Sequence, residues 1–222
     1  MRNHLIDQAL RPSPGSVRRA PMTTIRSICV YCGSSPGKDP AFLATARAFG
    51  KIMAEQRVSL VYGGGSKGLM GELAMSVHDH GGKVIGVIPE FLKARELAFK
   101  GAHELIVTKT MHERKQLMFD RADAFVALPG GIGTLEELVE QLTWSQLGRH
   151  RKPIAVANIN GFWDPLCELI DHMKKSGFIH NELSFEFGVA KKVEELLPML
   201  QAAASARDEA EMEGAEQIIE KM

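Results

Sequence analysis

From Ile25 onward the chain alternates between short apolar runs rich in β-branched residues and longer stretches in which apolar positions return every three or four residues. The short runs predict strands near 25–31, 58–62, 83–88, 104–108, 123–128 and 153–158, with helical patterns between most of them. That alternation predicts a parallel sheet. Runs such as Ala124-Phe-Val-Ala-Leu128 and Pro153-Ile-Ala-Val-Ala157 are apolar without interruption, as strands covered on both faces must be. The expected fold is α/β: a Rossmann-like, doubly wound, mostly parallel sheet with helices on both faces, in a single domain. Ligands of such sheets bind beyond the carboxyl ends of the strands, so the loops that follow the strands are where chemistry is to be sought.

The two ends break the pattern. Residues 1–24 hold Arg2, Arg11, Arg18 and Arg19, three prolines and the single acid Asp7, with no apolar period. A disordered leader, a transit-like peptide and a start-site artefact ahead of Met22 all fit that composition. Residues 202–222 are small and charged, with Glu209, Glu211, Glu213, Glu216 and Glu220 spread through a helix-favouring composition, and predict a solvated helix or tail, with a dimer contact as the alternative. The span 25–201 is left as the Rossmann-like domain.

Composition narrows the partners. The 222 residues are 45% apolar and 24% charged, which suits one domain with a sizeable core. Lys plus Arg (27) balance Asp plus Glu (27), and the pI is near 7.1, so no field of one sign is available to hold a nucleic acid or an anionic membrane. No apolar run approaches the roughly 20 residues that span a bilayer, and no apolar signal-peptide core opens the chain, so a cytoplasmic protein is expected. Cys29, Cys32 and Cys167 are too few for a disulfide framework. Cys29 and Cys32 have C-x-x-C spacing, but on a strand that spacing points the two thiols to opposite faces, which argues against a redox pair.

Three strand ends and one helix start carry the candidate chemistry. After the first strand, Cys32-Gly-Ser-Ser35 is a small-residue turn whose amides and hydroxyls, chiefly at Gly33 and Ser34, could meet a phosphate or a ribose, or could simply make a tight turn. After the second, Gly63, Gly64 and Gly65 precede a helical pattern from Glu72 to His80. Three glycines in a row point either to a ligand touching the backbone or to a tight crossover. Neither G-x-G-x-x-G nor a P-loop is present. After the fifth, Pro129-Gly-Gly-Ile-Gly-Thr-Leu-Glu-Glu137 runs into a helix expected from Leu135 to Leu147, capped by Thr134, with Glu136 and Glu137 in its first turn and Leu135, Leu138, Leu142 and Leu147 as its core stripe. Between these, Thr110 and Glu113 form a T-x-x-E capping box, which places Arg114 and Lys115 in the first turn of a helix whose dipole disfavours cations there. An anionic ligand would explain them, as would aliphatic stems lying over apolar neighbours.

Together, Gly63 to Gly71, Met111-His-Glu-Arg-Lys115 and Pro129 to Glu137 resemble the "Lonely guy" family of cytokinin riboside 5′-monophosphate phosphoribohydrolases over roughly residues 25–200. The resemblance implies hydrolysis of the N-glycosidic bond between an N6-substituted adenine, or adenine itself, and ribose 5′-monophosphate, with no metal or other cofactor and with a homodimer. It implies Arg114 and Glu137 as catalytic residues, and Glu96, Lys115, Gly131, Ile132, Gly133, Thr134, Leu135, Glu136 and Thr143 around the nucleotide. Ile132 stands where the family often has tyrosine. Family members have often been labelled lysine decarboxylases, yet no lysine here sits in a context suited to a pyridoxal Schiff base.

The chemistry agrees. Cleavage of a glycosidic bond passes through an oxocarbenium-like state that an ionised carboxylate can stabilise, or for which it can orient the water. Arginine stays protonated, so Arg114 can position but not donate a proton in the ordinary sense. A non-catalytic nucleotide-binding or sensor protein of the same fold is the alternative. An oxidoreductase is disfavoured by the missing dinucleotide fingerprint after the first strand.

Overall fold

A computed structural model describes residues 25–179 and 186–207, and the expected leader and most of the expected charged tail lie outside these residues. Seven strands form one sheet: β1 (Ser27–Tyr31), β2 (Ser59–Tyr62), β3 (Val84–Pro89), β4 (Glu104–Thr108), β5 (Ala124–Ala127), β6 (Ile154–Ala157) and β7 (Gly188–Ala190). Every pairing is parallel, in the order β4-β3-β2-β1-β5-β6-β7. Six of these strands fall where the apolar runs placed them. The seventh, three residues long at the sheet edge, is too short to leave a period in the sequence.

The helices are α1 (Pro40–Glu55), α2 (Gly68–Asp79), α3 (Glu90–Glu96), α4 (Met111–Asp120), α5 (Ile132–Gln146) and α6 (Asp164–Lys175), followed by helical residues 196–207. One face of the sheet is covered by Phe49 and Met53 of α1, Leu69, Leu73 and Val77 of α2, and Leu196, Leu200 and Ala204. The other is covered by Met118 of α4, Leu138 and Leu142 of α5, and Trp163 and Ile170. Fully burying each large aliphatic side chain stabilises the fold by roughly 1.5–3 kcal/mol, and these two layers hold most of them. The final helix runs past residue 201 and buries Ala204 to 4% exposure, so it is packed on the core up to the limit of the described residues. Leu147, expected in the α5 stripe, is 72% exposed: it is the C-cap of α5, turned away from the sheet.

Cys29 and Cys32 sit in opposite apolar layers, as strand geometry requires. Burial, above all other influences, pushes both thiols up, and neither is poised for redox chemistry.

The strand order positions the site. After β1 the chain works outward to β4 and then crosses back to β5, which pairs with β1 on its other side. The β1 and β5 loops therefore leave toward opposite faces and open a crevice between them, the place where doubly wound sheets bind ligands. A bond from the Gly33 N–H to the Pro129 carbonyl (3.1 Å) ties the two loops at its floor.

Candidate active site

The loop after β5 turns at Gly130, where a Cβ would strike the Thr134 side chain, and enters α5 at Ile132. This is earlier than the glycines suggested. Gly131 is the N-cap and no side chain caps the helix, so Thr134 lies inside the first turn, buried at 4% exposure. The first amides of any helix have no intrahelical partner. Here Gly131, Ile132, Gly133 and Thr134 line a cavity of about 320 Å³ together with Gly33 and Ser34 of the β1 loop. Gly131 and Gly133 have neither a positive φ nor any atom within 4 Å of where a Cβ would stand. Nothing inside the chain requires glycine at either position, and the open space faces the cavity.

The earlier start moves both acids out of the first turn of α5. Glu137 is therefore held by a side chain and not by the helix dipole: its Oε1 accepts from Arg114 Nη1 at 2.7 Å, with only 9% of the Arg114 and 11% of the Glu137 side chain exposed. Such charge-assisted bonds in a partly dry setting are strong and directional. Arg114 Nε also donates to the Val87 carbonyl at the end of β3 (3.2 Å), so the guanidinium is fixed from two sides. Both members of the pair line the cavity, and Met70, Leu92 and Met111 supply an apolar wall.

The cations of α4 thus find protein partners. Thr110 Oγ1 accepts from the Glu113 N–H (3.1 Å), while Glu113 reaches back past the N-cap to the Lys109 N–H (2.9 Å), a capping box displaced by one residue. Arg114 and Lys115 become the fourth and fifth residues of the helix and face α5. Lys115 Nζ bridges Glu136 (2.6 Å) and Glu140 (2.9 Å). Burial is the largest influence on its ammonium and works against the charge, but the bonds and charges of the two glutamates outweigh it and leave its pKa above the ordinary value. Lys115 clamps α4 to α5 and is not among the residues that line the cavity. Glu136, exposed, belongs to the clamp, and half-buried Leu135 packs into the core layer beneath.

Other expected residues lie elsewhere. Gly63, Gly64 and Gly65 are buried behind the crevice and are not among the residues that line the cavity beside Glu137. Gly64 has φ +79°. Gly68, at φ +57°, packs on the Ser34 and Ser35 backbone, and Gly71 packs on the Ser66 carbonyl. Thr143 is exposed, with its hydroxyl on the Val139 carbonyl (2.8 Å), about 16 Å along α5 from Ile132 at 1.5 Å per residue. Glu96 ends α3, and its side chain lies outside the described set.

Sequence reasoning did not single out the side chains of Cys32, Met70, Leu92 and Met111, which also line the cavity. Their signal is position: Cys32, Leu92 and Met111 lie within three residues of a strand's carboxyl end, and Met70 lies in the first turn of α2. Burial first, then the charge of Glu137, push the Cys32 thiol up. A second cavity of about 190 Å³ shares Gly33, Ser34 and Gly131 and is walled by Phe42 and Phe162, whose rings meet edge-on at 5.4 Å. Among the described residues no group of three His, Cys, Asp or Glu side chains could hold a metal ion, and no helix is long and apolar enough to cross a membrane.

Comparison with known proteins adds the family. Residues 70–200 match the family model described as "possible lysine decarboxylase". The chain is 46% identical over 181 residues to a protein of Oryza sativa subsp. japonica named as a probable cytokinin riboside 5′-monophosphate phosphoribohydrolase, covering 82% of this chain and 79% of that one. It is 43% identical over 184 residues to a cytokinin riboside 5′-monophosphate phosphoribohydrolase of Arabidopsis thaliana, covering 83% and 86%. Among solved structures, a molybdenum cofactor binding protein of Rippkaea orientalis superposes with a TM-score of 0.60 at 19% identity, over 81% of this chain and 98% of that one, which shows a shared fold.

Proposed function

The chain belongs to the family of cytokinin riboside 5′-monophosphate phosphoribohydrolases, and from that premise we propose that it hydrolyses N6-substituted adenosine 5′-monophosphates, or AMP itself, to free base and ribose 5-phosphate. The observation that carries this is the Arg114–Glu137 pair beside the uncapped, glycine-opened start of α5.

The 5′-phosphate is held by the amides from Gly131 to Thr134, aided by the positive end of the α5 dipole and by Gly33 and Ser34 across the crevice. Phosphate binding at a point that does not react orients the sugar, so its energy appears in the rate. The ribose then lies over Glu137. The bond from C1′ to the base nitrogen breaks, its electron pair leaves with the base, and the carboxylate faces the positive charge left on the sugar. Water adds to C1′ and its proton ends on the base. Arg114 holds the Glu137 carboxylate in place, and its own positive charge favours departure of the electron-rich base. Met70, Leu92 and Met111 suit the flat purine and an apolar N6 substituent.

The decarboxylase description finds no support in the crevice, whose two cavities have no lysine among their lining residues to form a Schiff base. We further read the protein as a cytoplasmic homodimer. Ile132 (82% exposed), Val139 (42%) and Leu147 (72%) form an outward apolar stripe on α5, and burial of that stripe by a second copy would bring Thr143 into an interface.

The test is to incubate the protein with AMP and with isopentenyladenosine 5′-monophosphate and to quantify base and ribose 5-phosphate. Equal amounts of both products from the wild type, and neither from Glu137→Ala or Arg114→Ala, are expected. Binding without release would leave a nucleotide-binding protein.

A further inference from the structure

The Gly63–Gly65 run lines neither cavity of the crevice, yet one of its residues touches the site from behind. A Cβ built on Gly63 would stand 2.5 Å from Arg114 Nη2, 3.2 Å from Met70 Sδ and 3.6 Å from Arg114 Cζ. Gly63 does not have the positive φ that excuses Gly64 and Gly68, so alanine could adopt its backbone and the reason for glycine is space. What fills the space is the guanidinium.

A clash with the tip of a long arginine is ordinarily relieved by a small swing of the side chain. Arg114 has no such freedom. Nε is held on the Val87 carbonyl at 3.2 Å and Nη1 on Glu137 at 2.7 Å, leaving Nη2 pointing at Gly63. Any shift that makes room for a methyl group lengthens one or both bonds. The end of β2 thus serves as a backstop that sets how far the guanidinium sits from the carboxylate.

We infer that Gly63 is a positioning residue for the hydrolysis, its bare Cα fixing Arg114 against Glu137 by close approach. The catalytic part of this inference rests on the proposed hydrolase function, whereas its geometric part does not. Its reach is the turnover step. The phosphate cradle at Gly131–Thr134 lies on another loop, so displacement of Arg114 affects kcat more than KM.

The experiment is a pair of double-mutant cycles combining Gly63→Ala with Arg114→Lys and with Arg114→Ala. In the Arg114 protein, Gly63→Ala should lower kcat for isopentenyladenosine 5′-monophosphate by about tenfold or more, with KM changed by less than about threefold. In the Arg114→Lys protein, whose ammonium lacks the Nη2 branch, the same change should cost less than about twofold. Thermal unfolding gives the arm that is independent of activity: Gly63→Ala should lower Tm in the Arg114 protein and change it far less in Arg114→Ala, where the guanidinium is gone and only the flexible Met70 side chain must give way. Equal losses in every background, or a rise in KM matching the fall in kcat, would overturn the positioning role. Absence of base release by the wild type would instead sink the hydrolase reading, while the unfolding cycle still decides the contact.

Discussion

Two glycine-rich loops, one after β2 and one after β5, look alike in the sequence and differ in what their glycines meet. In the loop Gly63–Gly71 the missing side chains are replaced by protein: the Arg114 guanidinium at Gly63, the Ser34–Ser35 backbone at Gly68 and the Ser66 carbonyl at Gly71. In the loop that starts at Pro129, Gly130 is filled by Thr134, but Gly131 and Gly133 meet nothing. A strand–glycine–helix pattern is therefore not by itself a ligand signature. What sets Gly131 and Gly133 apart is that they need no positive φ, meet no described side chain and line a cavity.

The sharpest break in the comparison is at Glu137, where the open loop adjoins the pair proposed to act on the substrate. Glu137→Gln keeps the shape and removes the charge, and base release should fall by about a hundred- to a thousandfold in kcat in product assays. Next is the filled loop. Gly68→Ala adds a methyl group against backbone at a positive φ, and unfolding should show a loss of about 1–3 kcal/mol. The open loop should behave in the opposite way. Gly133→Ala, at the second residue of α5, should raise stability by about 0.5–1 kcal/mol, because alanine is the better helix former, and should raise KM for the 5′-monophosphate about tenfold by intruding on the phosphate. If Gly133→Ala binds as well as the wild type, the space is not the cradle.

The smallest effect concerns the clamp that holds α5 in place of a cap. Lys115→Met should cost about 1 kcal/mol, since Glu136 is exposed and its pair with Lys115 is partly screened. The folded Lys115 ammonium has a pKa raised above 10.5, so its contribution is complete below that pH and is lost as the pH rises through the raised value. Urea midpoints of the wild type and the variant should therefore converge as alkalinity increases from pH 10 to 12.

Much of this was readable from the chain. Periodicity gave the sheet because six of its strands are long enough to carry an apolar run, and it failed at Gly188–Ala190 because three residues carry no period. The triplet Arg114, Lys115 and Glu137 was visible through its motifs, and the structure divides it: Arg114 with Glu137 in the cavity, Lys115 with Glu136 and Glu140 outside it. The start of α5 was misjudged by three residues because Thr134 looks like a cap, whereas the uncapped Gly131 exposes the amides that a phosphate would need. For the Gly63–Gly65 run the sequence left both a ligand contact and a tight crossover open. Whether Gly63 or Gly131 faces protein or open space depends on residues 51 positions away in one case and on empty volume in the other.

The most direct measurement is kcat/KM for isopentenyladenosine 5′-monophosphate against isopentenyladenosine. If the open α5 start binds the phosphate and Arg114 and Glu137 act beside it, the monophosphate should be cleaved at least about a hundredfold better, with ribose 5-phosphate appearing in step with free base. Equal cleavage of the two, or tight binding of the monophosphate with no release of base, would contradict the account.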